Sequence, residues 1–123
     1  MKKATLKSAV IMGITMLLAL TFLAAGLTKF AGVTQVVLPF ERLGMPFMAK
    51  VIGLLEIAGA IGLLIPRLRH LAALGLSAIM LGAIVYHLTL DPEKAALPGI
   101  ILLIFCGSLA WIQRPAPSDP ILG

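Results

Sequence analysis

Four apolar stretches divide the chain, and each has about the length of a helix that crosses a bilayer. They cover residues 8–28, 47–66, 71–90 and 95–113. A helix needs about 20 predominantly apolar residues to cross the hydrocarbon layer. The stretches lack the regular alternation of apolar and polar residues that a membrane strand shows. The pattern therefore predicts an all-α protein, an integral membrane four-helix bundle.

The segments between these stretches are short and contain glycine, proline or charged residues. Residues 29–46 form the longest connection, and its apolar part, residues 33–40, is expected to lie at the membrane interface. Residues 67–70 form a connection so short that the helices on either side must run antiparallel. Residues 91–94 join the last two stretches, where Asp91 is placed to cap the fourth helix.

The composition explains why lipid is the expected solvent. Of the 123 residues, 60% are hydrophobic and 12% are charged, whereas about a quarter of the residues in an average soluble domain are charged. One small soluble core could not remove so many apolar residues from water. We therefore expect one four-span domain over residues 1–114, with the bilayer as its partner, and a flexible tail over residues 115–123 that contains three prolines.

The basic residues indicate an orientation. The formal net charge is +5, but the basic residues lie in small groups beside the apolar stretches, so no nucleic-acid partner is expected. Six of them lie on the side of the N-terminus and four on the other side. Cytoplasmic loops are enriched in Lys and Arg, so the N-terminus and the C-terminus are both predicted to be cytoplasmic. The six are Lys2, Lys3, Lys7, Arg67, Arg69 and Arg114, and the four are Lys29, Arg42, Lys50 and Lys94.

The first stretch also has features of a secretory signal peptide. It follows Lys2 and Lys3 and ends in the small residues Ala24, Ala25 and Gly26, which resembles a signal sequence with its cleavage site. Its uncharged part is longer than the apolar core of a usual signal peptide. We therefore keep it as the first membrane helix, with cleavage near residue 26 as the alternative.

Glu56 requires an explanation, because an ionisable group in hydrocarbon costs about 3 kcal/mol. On a helix, Gly53, Glu56 and Ala60 share a stripe of small residues, which directs Glu56 into the bundle. Lys29 can reach back toward it, and His87 lies in the same half of the membrane. Three alternatives follow: an ion pair that fixes packing, a ligand or proton site, or a protonated Glu56 with Lys29 extended to the interface. For His87, a hydrogen bond within the bundle is the alternative to a ligand or proton-relay role.

Few other residues suggest a chemical role. No metal site is predicted, because no two His residues have ligand spacing, and no catalytic residue is assigned. Cys106 is the only cysteine, so an internal disulfide is impossible and the side chain is expected to pack as a small apolar group. Gly59, Gly62, Gly75 and Gly82 are expected at close helix crossings.

Several short motifs follow one another in a characteristic order. AAGLTKF closes the first stretch at residues 24–30, LGMP occupies residues 43–46, and GLLEIAG occupies residues 53–59. Further similar positions follow in residues 67–74. In this combination, the chain resembles the DoxX and DoxX-like family of small bacterial membrane proteins over roughly residues 10–110.

The resemblance implies a four-helix membrane bundle and an association with redox systems. Members of the family are linked to quinone-dependent sulfur oxidation and to redox or oxidative-stress complexes, and more distant relatives resemble membrane chaperones and cargo receptors. Lys29 and Glu56 match the family motifs, but the family supplies no catalytic residue to carry over. This chain lacks the paired cysteines of a thiol-redox enzyme, so direct disulfide chemistry is not expected.

Three functions are compatible with these features. The first is an accessory subunit of a redox system in the inner (plasma) membrane, crossing it several times and holding a quinone or another hydrophobic ligand near Glu56, Lys29 and His87. The second is an assembly or interaction factor for another membrane protein, in which the charges only fix packing. The third is a small proton-coupled transporter, which ranks last because such carriers typically place their acid in the first span. Enzymatic activity, the redox partner and a homo-oligomeric state are left open by the sequence.

Overall fold

The fold is known from a computed structural model, which describes residues 2–90 and 96–115, without the side chains of residues 2–4. Those residues form five helices and no strand, so the all-α prediction is confirmed. The expected number of four helices is wrong, because the longest connection contains a helix of its own. The helices are α1 (Lys2–Ala31), α2 (Thr34–Arg42), α3 (Met48–Leu64), α4 (Arg69–Thr89) and α5 (Leu97–Ile112). Asp91 and residues 116–123 of the predicted tail lie outside the described residues.

The additional helix α2 is set between two glycine turns. Gly32 precedes it with φ 83° and Gly44 follows it with φ 75°. A side chain at such left-handed positions costs roughly 1–2 kcal/mol, so glycine lets the chain leave α1 and enter α3 without strain. No residue of α2 is buried. The apolar segment 33–40 therefore forms most of a helix on the outside of the bundle.

Helices α1 and α3 run antiparallel and cross where two glycines meet. A Cβ atom at Gly26 would lie 2.6 Å from the carbonyl oxygen of Gly53, and a Cβ atom at Gly53 would lie 2.7 Å from the carbonyl oxygen of Gly26. Neither separation leaves room for a carbon atom, so both positions require glycine. Lys50 adds a contact near this crossing, because its Nζ donates a hydrogen bond to the Phe30 carbonyl oxygen at 2.9 Å.

Polar side chains secure the opposite end of the bundle, where α3 turns into α4. The last carbonyl groups of a helix have no partner within it, and the buried Arg69 supplies one by donating from Nε to the Leu63 oxygen at 2.7 Å. His70 Nδ1 lies 2.8 Å from the Ala110 oxygen at the end of α5. These contacts hold α4 antiparallel to both of its neighbours.

The glycine predictions are correct at two positions and wrong at two. A Cβ atom at Gly59 would lie 2.7 Å from Leu76 Cδ2, and one at Gly62 would lie 2.9 Å from Ala72 Cβ, so both glycines mark the crossing of α3 and α4. No atom of the described residues comes within 4 Å of a Cβ atom at Gly75 or Gly82. These two glycines of α4 face open space rather than another helix.

The core is small and the exterior is apolar. Phe22, Leu63, Leu76 and Cys106 are fully buried where the four longer helices meet, so Cys106 packs as expected. Large apolar side chains on the outside are more than half exposed, and they include Leu17, Leu20, Leu54, Leu81 and Ile104. An apolar exterior of this extent suits contact with lipid.

Within residues 2–90 and 96–115, two helical segments are long and apolar enough to cross a membrane. They are Thr5–Ala31 within α1 and the whole of α4, Arg69–Thr89, while α5 is a shorter apolar helix. Helix α3 is similarly short, with 17 residues.

The α1–α3 crossing generates a stability prediction. Gly53→Ala is expected to destabilise the protein by about 1–3 kcal/mol, because the helices must separate to admit the methyl group. Gly13→Ala is the matched control, since a Cβ atom there meets no described atom within 4 Å and alanine favours a helix by roughly 0.5–1 kcal/mol over glycine. Thermal unfolding in detergent should show a lower Tm for Gly53→Ala only. Equal Tm values for both variants would contradict the tight crossing.

Candidate functional site

Lys29 and Glu56 form an ion pair across the α1–α3 crossing. Lys29 Nζ lies 2.7 Å from Glu56 Oε1, with the Glu56 side chain fully buried and the Lys29 side chain 19% exposed. Lys29 follows Gly26 and Glu56 follows Gly53 by about one helical turn, and a helical side chain leans back toward the N-terminus of its own helix. Because α1 and α3 run antiparallel, the two side chains lean back toward the glycine contact from opposite sides. The glycine contact therefore brings the two charged side chains close to each other.

The second carboxylate oxygen of Glu56 has a different environment. Oε2 is buried, and no group in the described part of the chain forms a hydrogen bond with it. Buried acceptors in proteins almost always have a partner, and leaving one unsatisfied costs about 1–3 kcal/mol or more when the group is charged. A hydrogen-bond donor on a bound molecule would gain most at this atom.

Glu56 and Lys29 contribute to a partly open cavity lined by residues of α1, α2, α3 and α4, here called the α2–α4 cavity. Its volume of about 590 Å³ falls within the roughly 300–1,000 Å³ of small-molecule sites. Val36 and Phe40 line it from α2, and Ala78 and Gly82 line it from α4. Ligand sites in proteins are typically apolar with a few polar groups, and this cavity has that character.

His87 lies in the wall of the same cavity, next to Tyr86. Both side chains are half-buried and line the space. Their ring centroids are 5.5 Å apart at an interplanar angle of 78°, an edge-to-face contact. The structure thus gathers Lys29, Glu56 and His87, the three residues singled out in the sequence, around one cavity. A ligand role for them stays a prediction.

Sequence reasoning missed the wall that α2 contributes. Gln35 and Arg42 are polar residues of α2 that line the cavity, and neither was singled out as part of the site. The available signal was the sequence of Thr34–Arg42, in which polar residues at both ends flank an apolar middle. Pro39 within that segment favoured a loop, because proline removes a backbone hydrogen bond from a helix interior.

Metal binding has no support in the described residues. Among them, no group of three or more His, Cys, Asp and Glu side chains is arranged to hold a metal ion. The polar groups around the cavity instead suit hydrogen bonding: the Lys29 ammonium donates, the free oxygen of the Glu56 carboxylate accepts, and the Tyr86 hydroxyl can do either.

The described residues form an all-helical bundle with an apolar exterior, a buried ion pair beside a cavity, and two helical segments long and apolar enough to cross a membrane. A family model, that of the DoxX-like family, matches residues 13–108. The match includes Lys29, Glu56 and His87, and the chain belongs to the DoxX-like family, whose proteins are typically membrane-associated. No curated protein and no solved structure gives a significant match to the chain.

The buried ion pair generates a prediction for a double-mutant cycle. Lys29→Met leaves the Glu56 charge unpaired in the interior, and breaking a buried pair in this way typically costs about 3–5 kcal/mol. The double variant Lys29→Met/Glu56→Gln is expected to recover most of that loss, since it removes both charges. Tm values of the two single variants, the double variant and the native chain, all in the same detergent, measure the coupling. If the losses of the two single variants add in the double variant, the two side chains do not form a coupled pair.

Proposed function

We propose that the chain is a four-span inner-membrane protein that holds the headgroup of a quinone-type molecule in the α2–α4 cavity, as an accessory subunit of a redox system. The observation that carries this proposal is Glu56 Oε2, a buried acceptor without a hydrogen bond in a largely apolar cavity. A molecule with a hydroxyl group on an apolar body meets both requirements. A quinol is such a molecule.

The polar groups around the cavity match the two forms of a quinone headgroup. A quinol hydroxyl donates a hydrogen bond, and Glu56 Oε2 accepts one. A quinone carbonyl accepts a hydrogen bond, and the Lys29 ammonium donates one. The apolar side chains of α2 and α4 would cover the ring, as in other small-molecule sites.

In the proposed topology, α1, α3, α4 and α5 cross the membrane and α2 lies at its outer surface. At about 1.5 Å per residue, α3 with 17 residues and α5 with 16 are each roughly 25 Å long, somewhat less than the roughly 30 Å hydrocarbon layer. Short helices of this kind are accommodated by local thinning of the bilayer or by long basic side chains that reach the interface. The ligand cavity then opens in the outer half of the membrane.

The topology can be tested with single cysteines, because the only native cysteine, Cys106, is buried. In a Cys106→Ala background, Leu43→Cys lies between α2 and α3, and Leu68→Cys lies between α3 and α4. Both leucines are exposed. A membrane-impermeant maleimide should label Leu43→Cys in intact cells and Leu68→Cys only after permeabilisation. The reverse pattern would overturn the orientation with both termini in the cytoplasm.

Ligand binding is tested with the full chain in lipid nanodiscs, with decylubiquinol as the probe. Glu56→Gln is expected to weaken binding by about tenfold or more, because hydrogen bonds to charged groups contribute roughly 1.5–3 kcal/mol. Thr21→Val is the matched control, since Thr21 is half-buried, does not line the cavity, and its hydroxyl donates a hydrogen bond to the Leu17 carbonyl oxygen of its own helix.

The outcome of this measurement separates the candidate functions. Retained binding in Glu56→Gln, or no binding by the native chain, contradicts the proposal. A stoichiometric partner protein without any bound small molecule would favour the assembly role, and proton-driven efflux that depends on Glu56 would favour the transporter role. If Glu56→Gln does not fold, His87→Leu tests the same cavity.

A further inference from the structure

We propose that the α2–α4 cavity opens sideways into the lipid, and that its ligand is a long-tailed molecule whose hydrocarbon chain leaves the protein between α2 and α4. This inference rests on the proposed function and adds the class of ligand and its route. In this proposal, Gly82 determines which ligands fit, because it lies beside the route that the hydrocarbon chain takes.

The first observation is a gap between two helices that line one cavity. Helix α2 packs against α1 and α3, but within the described residues its backbone does not closely approach α4. Both α2 and α4 nevertheless contribute side chains to the cavity wall. The space between the two helices is therefore bounded by side chains and not closed by helix packing.

The second observation is the small size of the residues on the α4 side of the gap. Ala78 and Gly82 are one helical turn apart, so they share a face of α4, and both are exposed and line the cavity. Open space surrounds Gly82, as described above. On the α2 side, the apolar side chains of Val36 and Phe40 line the same cavity. The residues that line the cavity at these positions of α2 and α4 are therefore apolar, and those of α4 are small.

The third observation is that the polar groups and the volume of the α2–α4 cavity fit a molecule with a polar headgroup and a long apolar tail. The ion pair of Lys29 and Glu56 provides one polar position for a headgroup, and Glu56 Oε2 is the acceptor without a hydrogen bond. A cavity of about 590 Å³ is of a size that encloses a drug-sized molecule. A headgroup with a tail of ten or more carbons exceeds such a molecule in length, so its tail must pass out through the gap. Beyond the gap it meets lipid, which is as apolar as the tail.

The experiment compares two probes with the same headgroup, decylubiquinol and the tail-less 2,3-dimethoxy-5-methylhydroquinone, on the full chain in nanodiscs. Gly82→Leu places a branched side chain in the gap. Gly75→Leu is the matched control, because Gly75 is exposed on the same helix with open space around it and does not line the cavity. Comparing variants in the same lipid cancels the partitioning of each probe into the bilayer.

Gly82→Leu is expected to weaken decylubiquinol binding by about tenfold or more, the effect of a steric clash with the tail, and to leave binding of the tail-less probe within about threefold of native. Gly75→Leu should change neither affinity. Equal effects of Gly82→Leu on both probes, or no effect on either, would overturn the lateral route while leaving the proposed function intact. If the native chain binds neither probe, the proposed function itself fails and this inference fails with it. Tm values establish that each variant is folded, and Ala78→Leu replaces Gly82→Leu if that variant is not.

Discussion

The contact between α1 and α3 at Gly26 and Gly53 determines the rest of the site. The backbones approach so closely there that neither position has room for a methyl group. Lys29 and Glu56 reach back toward this contact from opposite sides, and Lys29 Nζ lies 2.7 Å from Glu56 Oε1. A buried pair of this kind seldom adds net stability, but its position fixes where a negative charge lies inside the bundle. The close contact of the two glycines thus fixes where the Lys29–Glu56 pair lies within an otherwise apolar bundle.

The cavity exists because α2 is held beside the bundle and not packed into it. Gly32 and Gly44 turn the chain at both ends of α2, and the helix rests against α1 and α3 while staying apart from α4. Small residues on α4, among them Gly82, keep the remaining space open. An apolar compartment therefore adjoins the buried carboxylate, and this combination supports a site for a lipid-soluble molecule with a polar headgroup.

Much of this architecture is predictable from the sequence, because hydrophobicity over 20 residues and the cost of a buried charge are both strong signals. They gave the positions of the four longer helices and the inward direction of Glu56. Helix α2 escaped prediction because it is only nine residues long and contains Pro39. Gly82 was assigned to a helix crossing, since a glycine in a helix has the same local sequence whether it faces another helix or a cavity. The contact of Gly53 with Gly26 could not be predicted from local sequence patterns either, because the register of α1 against α3 is a property of the whole bundle.

The central claim is that Glu56 holds a ligand headgroup inside the bundle. Native mass spectrometry of the protein released from its own membrane tests it most directly, because it reports bound hydrophobic molecules together with the number of subunits. The account predicts a retained quinone-class molecule on the native chain and its loss in Glu56→Gln. A folded native chain that carries no such molecule, or a Glu56→Gln chain that retains it fully, would contradict the account.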